Sequence, residues 1–373
     1  MTIPTSTRAA VLTTHGAPLE LQELPLPGEI EPGAALVRIV CATLCGTDIE
    51  IWSGKMTFPG MLPMVLGHEM VGEVVGVGAG TTDALGAELR PGDRIGWSES
   101  TCGRCHGCVV LREPVHCAHR GYGFLQRSDI APYATAGLAD YAYVTPGAAK
   151  LRIPENVENT WAAMAGCAAK TVLRAFERAG RIRPGATVAI QGSGALGIFA
   201  TAVACAAGAG RVITIGAPPA RLACARRFGA EDVVDIAEGG IIEQVQELTA
   251  GRGADYVFDF AGAPSVGPEA VGMAATRGTV VIVGSTGPTS DGFALSAIMS
   301  KELTVVGSLN GDIADYARAI EFFSSFGSSF PWDDLFSAPV GLAAASAKIA
   351  AMDRLGEVKA VIDPRLDAQA VAG

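Results

Sequence analysis

Residues 186–197 read ATVAIQGSGALG. The apolar run Ala186–Gln191 reads as a buried strand, and an Ala-rich helix follows to about Ala207. Between them lies the pattern GxGxxG, Gly192 to Gly197. In a chain with 47 glycines such a pattern is weak by itself. Its place is what gives it meaning, because a dinucleotide-binding turn must follow a strand and open a helix. The glycines let the backbone approach a pyrophosphate, and the helix N-terminus supplies N–H donors and a positive dipole end. We therefore expect Gly192, Gly194, Ala195, Leu196 and Gly197 to bind a dinucleotide.

Outward from this turn the chain keeps alternating. Strands are expected at Arg211–Ile215, Val233–Asp235, Tyr256–Phe260 and Thr279–Val283, with helices at Trp161–Arg178, Ala220–Phe228, near 240–250 and near 267–276. Strand–helix alternation of this kind builds a parallel, doubly wound sheet. The first 158 residues differ: short strands at 8–14, 34–42, 70–79 and Arg94–Trp97 are separated by turns such as Pro91-Gly92-Asp93. After about residue 300 the pattern is mixed again, without repeats or a low-complexity tail. The reading is α/β, with a β-rich domain over 1–158 and a Rossmann domain over 159–299.

The composition narrows the function. Of the 373 residues 49% are hydrophobic and 18% charged, and the net charge is -10. No basic run offers a phosphate backbone a partner, so nucleic acid is not expected. Met1–Ala10 lacks an apolar core of leader length, and glycines interrupt every long apolar stretch. A cytoplasmic protein with no membrane contact is expected.

In such a setting nine cysteines speak for metal or catalysis rather than disulfides. Cys102, Cys105, Cys108 and Cys117 lie within sixteen residues. Four thiolates this close can enclose one tetrahedral zinc ion when the loop folds round it, which Gly103 and Gly107 permit. His116 is the alternative to Cys117 as the fourth donor. Cys41, Cys205 and Cys224 sit in apolar surroundings and read as core.

A third constellation is Cys45-Gly46-Thr47-Asp48, Gly67-His68-Glu69 and Cys167. Each piece alone is ambiguous, since a single His or Cys beside an apolar strand is commonly core. Beside a dinucleotide fold, two thiolates, one imidazole and an open position make a catalytic zinc set. Asp48 then has a natural task in orienting His68 through the ring's other nitrogen.

Taken together, the GHE segment with Gly72 and Gly76, Pro91–Arg94, the four-cysteine lobe and GSGALG resemble the zinc-containing alcohol dehydrogenases of the medium-chain dehydrogenase/reductase superfamily over nearly the whole chain. The resemblance implies a GroES-like β-barrel completed by residues 300–373, and Cys45, His68 and Cys167 as ligands of catalytic Zn2+. It implies Glu69 behind the metal, Thr47 passing the alcohol proton, Thr171 and Val283 beside the nicotinamide and Lys359 at the pyrophosphate. It also implies a homodimer or homotetramer. Trp97 would lie near the cleft wall by motif position, and residues 121–139 look like an enlarged loop that either closes over the cleft or is a surface excursion or oligomer contact.

Three departures qualify the match. Eight residues, not seven, precede the last lobe cysteine. Glu50 stands where many relatives carry a relay histidine, and is either a proton relay or a solvated acid. Gly216 replaces the acid that reads the ribose 2′-OH, or simply turns the chain, while Arg221 could meet a 2′-phosphate or a ribose hydroxyl, so NAD and NADP both stay open. The expected reaction passes a hydride between an alcohol (secondary, polyol or functionalised) and NAD(P). The rival readings are a zinc-free quinone or enone reductase of the same superfamily and a non-catalytic metal-binding protein.

Overall fold

The computed structural model describes residues 3–284, 292 and 295–367. It divides into two compact units: Met1–Cys167 with Gly311–Gly327 and Phe336–Gly373, and Ala168–Asn310 with Ser328–Leu335. Among the described residues no helix is long and apolar enough to cross a membrane.

The second unit is built on a six-stranded parallel sheet. Its order is Asp232–Asp235, Arg211–Gly216, Thr187–Gln191, Ala254–Asp259, Ala274–Ile282 and Thr304–Gly307. The first three strands in the sequence run outward one way and the last three the other, so the order reverses beside Thr187–Gln191. That reversal is where a doubly wound sheet binds its ligand. All five side chains of Thr187–Gln191 are buried, which is why the strand reads as a continuous apolar run rather than an alternating one.

Two boundaries depart from the expected 159–299. Thr304–Gly307 pairs with Ala274–Ile282 and extends the parallel sheet beyond residue 300. The short segment Ser328–Leu335 also belongs to this unit. Trp332, 2% exposed, packs against Phe199 and Phe228, with ring centroids 5.8 and 5.3 Å away. A four-residue strand and a single tryptophan give no periodicity to read, so neither could be assigned from sequence.

The first unit carries antiparallel sheets. One orders Val361–Ile362, Ala35–Thr43, Glu69–Val77, Arg94–Ser100 and Ala148–Arg152, and Tyr141–Val144 also pairs with Ala35–Thr43. Glu20–Pro25, Ser6–Leu12 and Met64–Val65 form the other. The C-terminal strand joins Ala35–Thr43 in the register Val361↔Thr43 and Ile362↔Ala42. The chain end thus completes the unit that its beginning starts. The expected GroES-like barrel plus Rossmann architecture is the one observed.

The expected helix Trp161–Arg178 is in fact three pieces. Asn159–Met164 and Lys170–Ala179 are α-helical, and Ala165–Ala169 between them is a π-turn. Such single-turn π insertions recur at functional sites. Cys167 is the middle residue of this one.

Close packing explains one glycine in the first unit. A Cβ at Gly96 would stand 1.7 Å from the Tyr316 hydroxyl oxygen. Tyr316 is fully buried and donates to the Ala162 carbonyl at 2.9 Å, so it has no room to retreat. Gly96→Ala should therefore lower stability by about 1–3 kcal/mol, as overpacking does. Thermal unfolding checks this, and an unchanged melting temperature would show that Tyr316 is not fixed in place.

Candidate metal and dinucleotide sites

Three elements of the first unit supply one cluster. Cys45 precedes the helix Gly46–Ser53, His68 precedes the strand Glu69–Val77, and Cys167 lies in the π-turn. Their ligand atoms all lie within 4.8 Å of one another. No disulfide ties up either cysteine. Two sulfurs and one imidazole nitrogen at this spacing suit a tetrahedral zinc ion with its fourth position open.

Asp48 organises the cluster. It is fully buried. Its Oδ2 accepts from the Cys45 backbone N–H at 2.8 Å, and its Oδ1 accepts from the Gly67 N–H at 3.0 Å. His68 Nδ1 lies 3.3 Å from the same Oδ1. One carboxylate therefore ties the Cys45 and Gly67-His68 segments together, with the His68 Nδ1 edge turned towards it.

The charges of the cluster follow from these contacts. Hydrogen bonding with Cys167, helped by His68 and Lys359, holds the Cys45 thiol well below its usual range despite burial. Burial disfavours a charged His68, but Asp48 and Cys45 outweigh it and raise the imidazole well above 6.5. The thiolate is thus ready as a ligand, while His68 must give up a proton to become one.

Behind the cluster Glu69 is fully buried and accepts from Thr43 Oγ1 at 2.5 Å. Burial pushes its carboxyl up to about 7, against the pull of Lys359. Lys359 Nζ stands 2.5 Å from Glu69 Oε2 and is 1% exposed. The expectation for Lys359 is thereby corrected. Its ammonium is buried against a carboxylate behind the cysteines, which leaves nothing exposed for a pyrophosphate. Thr47 and Glu50 lie half-buried on the helix Gly46–Ser53. Burial and the Cys45 charge raise the Glu50 carboxyl above its ordinary value.

The four-cysteine lobe also closes. Cys105 and Cys108 have their sulfurs 3.6 Å apart, as do Cys102 and Cys117. That is far from a disulfide bond of about 2.05 Å. It is close to the edge of a tetrahedron with metal–sulfur bonds of about 2.3 Å. Backbone N–H groups aimed at the sulfurs lower the Cys105 thiol to about 6 and also lower Cys117, while burial and the neighbouring thiols push Cys108 up to about 12. His116 instead faces Glu113, with Nε2 3.3 Å from Oε2. The Cys117 sulfur, not the His116 ring, lies with the other three sulfurs, all within 4.8 Å of one another.

In the second unit the glycine turn has three distinct parts. Gly192 takes φ +114, which L side chains rarely adopt. Gly194 has nothing within 4 Å of its missing Cβ, leaving the backbone open to a ligand. A Cβ on Gly197 would strike the Gly192 carbonyl oxygen at 1.7 Å. These are the turn, approach and packing tasks of a pyrophosphate loop.

Gly216 ends the second strand of that unit and has no positive φ, so it is not there to turn the chain. Its Cβ would lie 2.3 Å from Ser193 Oγ and 2.9 Å from the Ser193 nitrogen. The Ser193 hydroxyl, bonded to the Ala217 carbonyl at 3.0 Å, occupies the place of the absent acid. Arg221 is half-buried in the helix Pro219–Arg227, and burial lowers its guanidinium pKa. Thr171 opens the helix Lys170–Ala179, and Val283 lies just past the strand Ala274–Ile282, its N–H donating to the Asp259 carbonyl at 3.1 Å.

Sequence reasoning missed Phe124, whose ring lies 4.5 Å from the His68 ring, centroid to centroid. The segment 121–139, expected as an enlarged loop, is pinned within the first unit by Ser100↔Gly121, Met64↔Arg127 and Ala9↔Ala139 bridges. Trp97 is core, 8% exposed.

The comparisons agree with this geometry. Residues 31–155 match the alcohol dehydrogenase GroES-like domain, and 195–325 match the zinc-binding dehydrogenase domain. A 5-exo-hydroxycamphor dehydrogenase from Pseudomonas putida is 32% identical over 96% of this chain and 99% of that protein. An alcohol dehydrogenase from Schizosaccharomyces pombe is 32% identical over 87% of this chain and 89% of its own length. Among solved structures, an alcohol dehydrogenase from Thermotoga maritima has a TM-score of 0.89 at 28% identity, covering 96% of this chain and 99% of that one. A zinc-binding dehydrogenase from Sinorhizobium meliloti bound to NADP has a TM-score of 0.81 at 27% identity, covering 97% and 100%. Zn2+ and NAD(P) are the cofactors these matches support.

Metal analysis should find about two zinc ions per chain, one per donor set. Cys117→Ser should lose one and His116→Ala none; the reverse result would restore His116 as the ligand. At neutral pH zinc uptake by the metal-free protein should release protons, those of His68 and Cys108 among them, so affinity should rise with pH. Calorimetry in two buffers of different ionisation enthalpy reads the proton count.

Proposed function

The chain belongs to the zinc-binding alcohol dehydrogenases of the medium-chain dehydrogenase/reductase superfamily, oxidoreductases that interconvert alcohols and carbonyls, and from that premise we propose that it oxidises an apolar secondary alcohol to its ketone with NAD(P). The observation that carries this reading is the Cys45, His68 and Cys167 donor set, with ligand atoms within 4.8 Å and His68 oriented by Asp48.

When bound, zinc supplies Lewis-acid polarisation of an alcohol or carbonyl oxygen, and the nicotinamide supplies hydride chemistry. Cys45, His68 and Cys167 would hold the metal. Asp48 keeps the imidazole in one tautomer by accepting at Nδ1. The Thr47 hydroxyl takes the proton of the bound alcohol and passes it towards Glu50, one helical turn further along the same helix. The raised carboxyl of Glu50 brings it closer to neutral, where a relay works in both directions. Gly192, Gly194, Ala195, Leu196 and Gly197 would bind the pyrophosphate, with Thr171 and Val283 at the nicotinamide and Arg221 near the adenosine ribose.

Two observations favour an apolar secondary alcohol. The Pseudomonas putida relative is named for a ring-borne, secondary hydroxyl. One ring beside the His68 imidazole is the apolar side chain of Phe124. A homo-oligomer is the assembly expected of the family.

His68→Ala should abolish turnover and leave NAD(P) binding intact; an active variant would end the metal reading. Thr47→Ala should cost roughly 10²–10⁴-fold in kcat, the range of a lost proton-transfer group, with Thr47→Ser restoring most of it. Nicotinamide absorbance with primary, secondary and polyhydroxy alcohols reads the substrate class. Gly216→Asp should weaken both NAD and NADP by displacing Ser193; a clean switch towards NAD would show that the loop yields.

A further inference from the structure

The edge of the His68 ring is held by the Asp48 carboxylate at Nδ1 and by a hydrogen bond with Cys45. Contacts at the edge of a ring leave it free to tilt about the line that joins them. The second restraint is a face. The Phe124 ring lies 4.5 Å from the imidazole centroid, with 33° between the planes. That is within the range in which aromatic rings hold one another in a definite geometry.

Phe124 is itself held from behind. Tyr122 meets it edge-on at 5.7 Å and 78°. The Arg120 guanidinium lies 5.0 Å from the centre of the Tyr122 ring, within cation–π distance. Arg120 pairs with Glu99 at 3.0 Å, both side chains largely buried, and donates to the Val115 carbonyl at 3.0 Å. Its backbone N–H donates to the Cys117 carbonyl. The peptide itself is clamped by the mutual Ser100 and Gly121 hydrogen bonds at 2.9 Å and by Thr135 Oγ1 on the Gly123 carbonyl at 2.6 Å. A short arm therefore starts at the last donor of the four-cysteine lobe and ends on the imidazole of the three-donor site.

We propose that Phe124 is a positioning residue for His68, and that the four-cysteine lobe acts on the three-donor site through the arm Arg120–Phe124. Phe124 holds the imidazole at the tilt that directs Nε2 to the metal. The lobe, once closed, fixes Arg120, and Arg120 fixes the ring stack. The inference rests on the zinc reading above and extends it. It assigns the lobe a task beyond local folding, and it assigns a role to an aromatic residue that touches no metal.

The test uses full-length, zinc-loaded protein and two readouts that do not depend on turnover. One is the rate at which a chelator removes each zinc ion, followed with a chromogenic indicator. The other is the visible spectrum after cobalt replaces the zinc at the three-donor site. Phe124→Ala should release one of the two ions about 10–100-fold faster, the range for losing a residue that orients a ligand. The other ion should leave at the wild-type rate, and the cobalt bands should shift. Phe124→Leu, which keeps apolar bulk without a flat face, should fall between and serves if the alanine variant does not fold. Arg120→Met should move both readouts the same way. Wild-type release rates and an unchanged cobalt spectrum in Phe124→Ala would overturn the proposal, even with an altered KM for bulky alcohols, since Phe124 would then be a substrate wall only. Altered readouts in Phe124→Ala but not in Arg120→Met would overturn the link to the lobe. A wild-type protein that takes up metal at the lobe alone would overturn the zinc reading itself, and this proposal with it.

Discussion

The Asp48 carboxylate is the contact on which the metal site depends. It is fully buried and accepts from Cys45 N–H, Gly67 N–H and His68. A buried carboxylate is costly unless its oxygens are satisfied. Here the partners that satisfy it are the two chain segments carrying the first two ligands. The helix Gly46–Ser53 and the turn before Glu69–Val77 are held to one another by that carboxylate before any metal arrives. Removing it would leave two backbone donors and an imidazole without an acceptor, so the loss would exceed that of one hydrogen bond.

A second buried charge lies directly behind the first. Lys359 and Glu69 form an ion pair with essentially no exposure, completed by the Thr43 hydroxyl. Such pairs recover their desolvation cost only with good geometry and further hydrogen bonds. The pair ties the C-terminal segment to the strand just after His68, reinforcing the pairing of Val361–Ile362 with Ala35–Thr43. It also puts a positive charge near Cys45 and Cys167, where it supports thiolates. One lysine near the chain end thus serves both the closure of the first unit and the charge balance of the metal site.

These observations separate what the sequence makes legible from what it does not. Short motifs with a local cause were readable: the glycine turn, because each glycine has its own steric task, and the four cysteines, because a single loop brings them together. Cys45, His68, Asp48 and Cys167 were readable as a set because only one kind of site uses that combination. Lys359 was misread because nothing near it in sequence names Glu69, 290 residues away, as its partner. Phe124 was missed for the same reason, since a phenylalanine in a glycine-bearing loop has no periodicity and its partner His68 is remote. The π-turn at Cys167 was read as plain helix because one extra residue in a turn leaves the composition unchanged.

Gly216 shows how a residue can be placed by counting while its packing stays hidden. Its position at the end of the second strand was clear from counting, and the missing carboxylate was real. The reason is neither a turn nor simply a choice of cofactor, because its φ is ordinary and its missing Cβ would meet Ser193. The small residue at 216 and the serine inside the glycine turn are two halves of one packing solution. A side chain at 216 would meet the Ser193 backbone nitrogen as well as its side chain, so the turn itself would have to shift to admit an acid. The end of this strand and the glycine turn are therefore packed as one unit, and the reading of a ribose there would fall to groups beyond Gly216, of which half-buried Arg221 is the nearest charged one along the next helix.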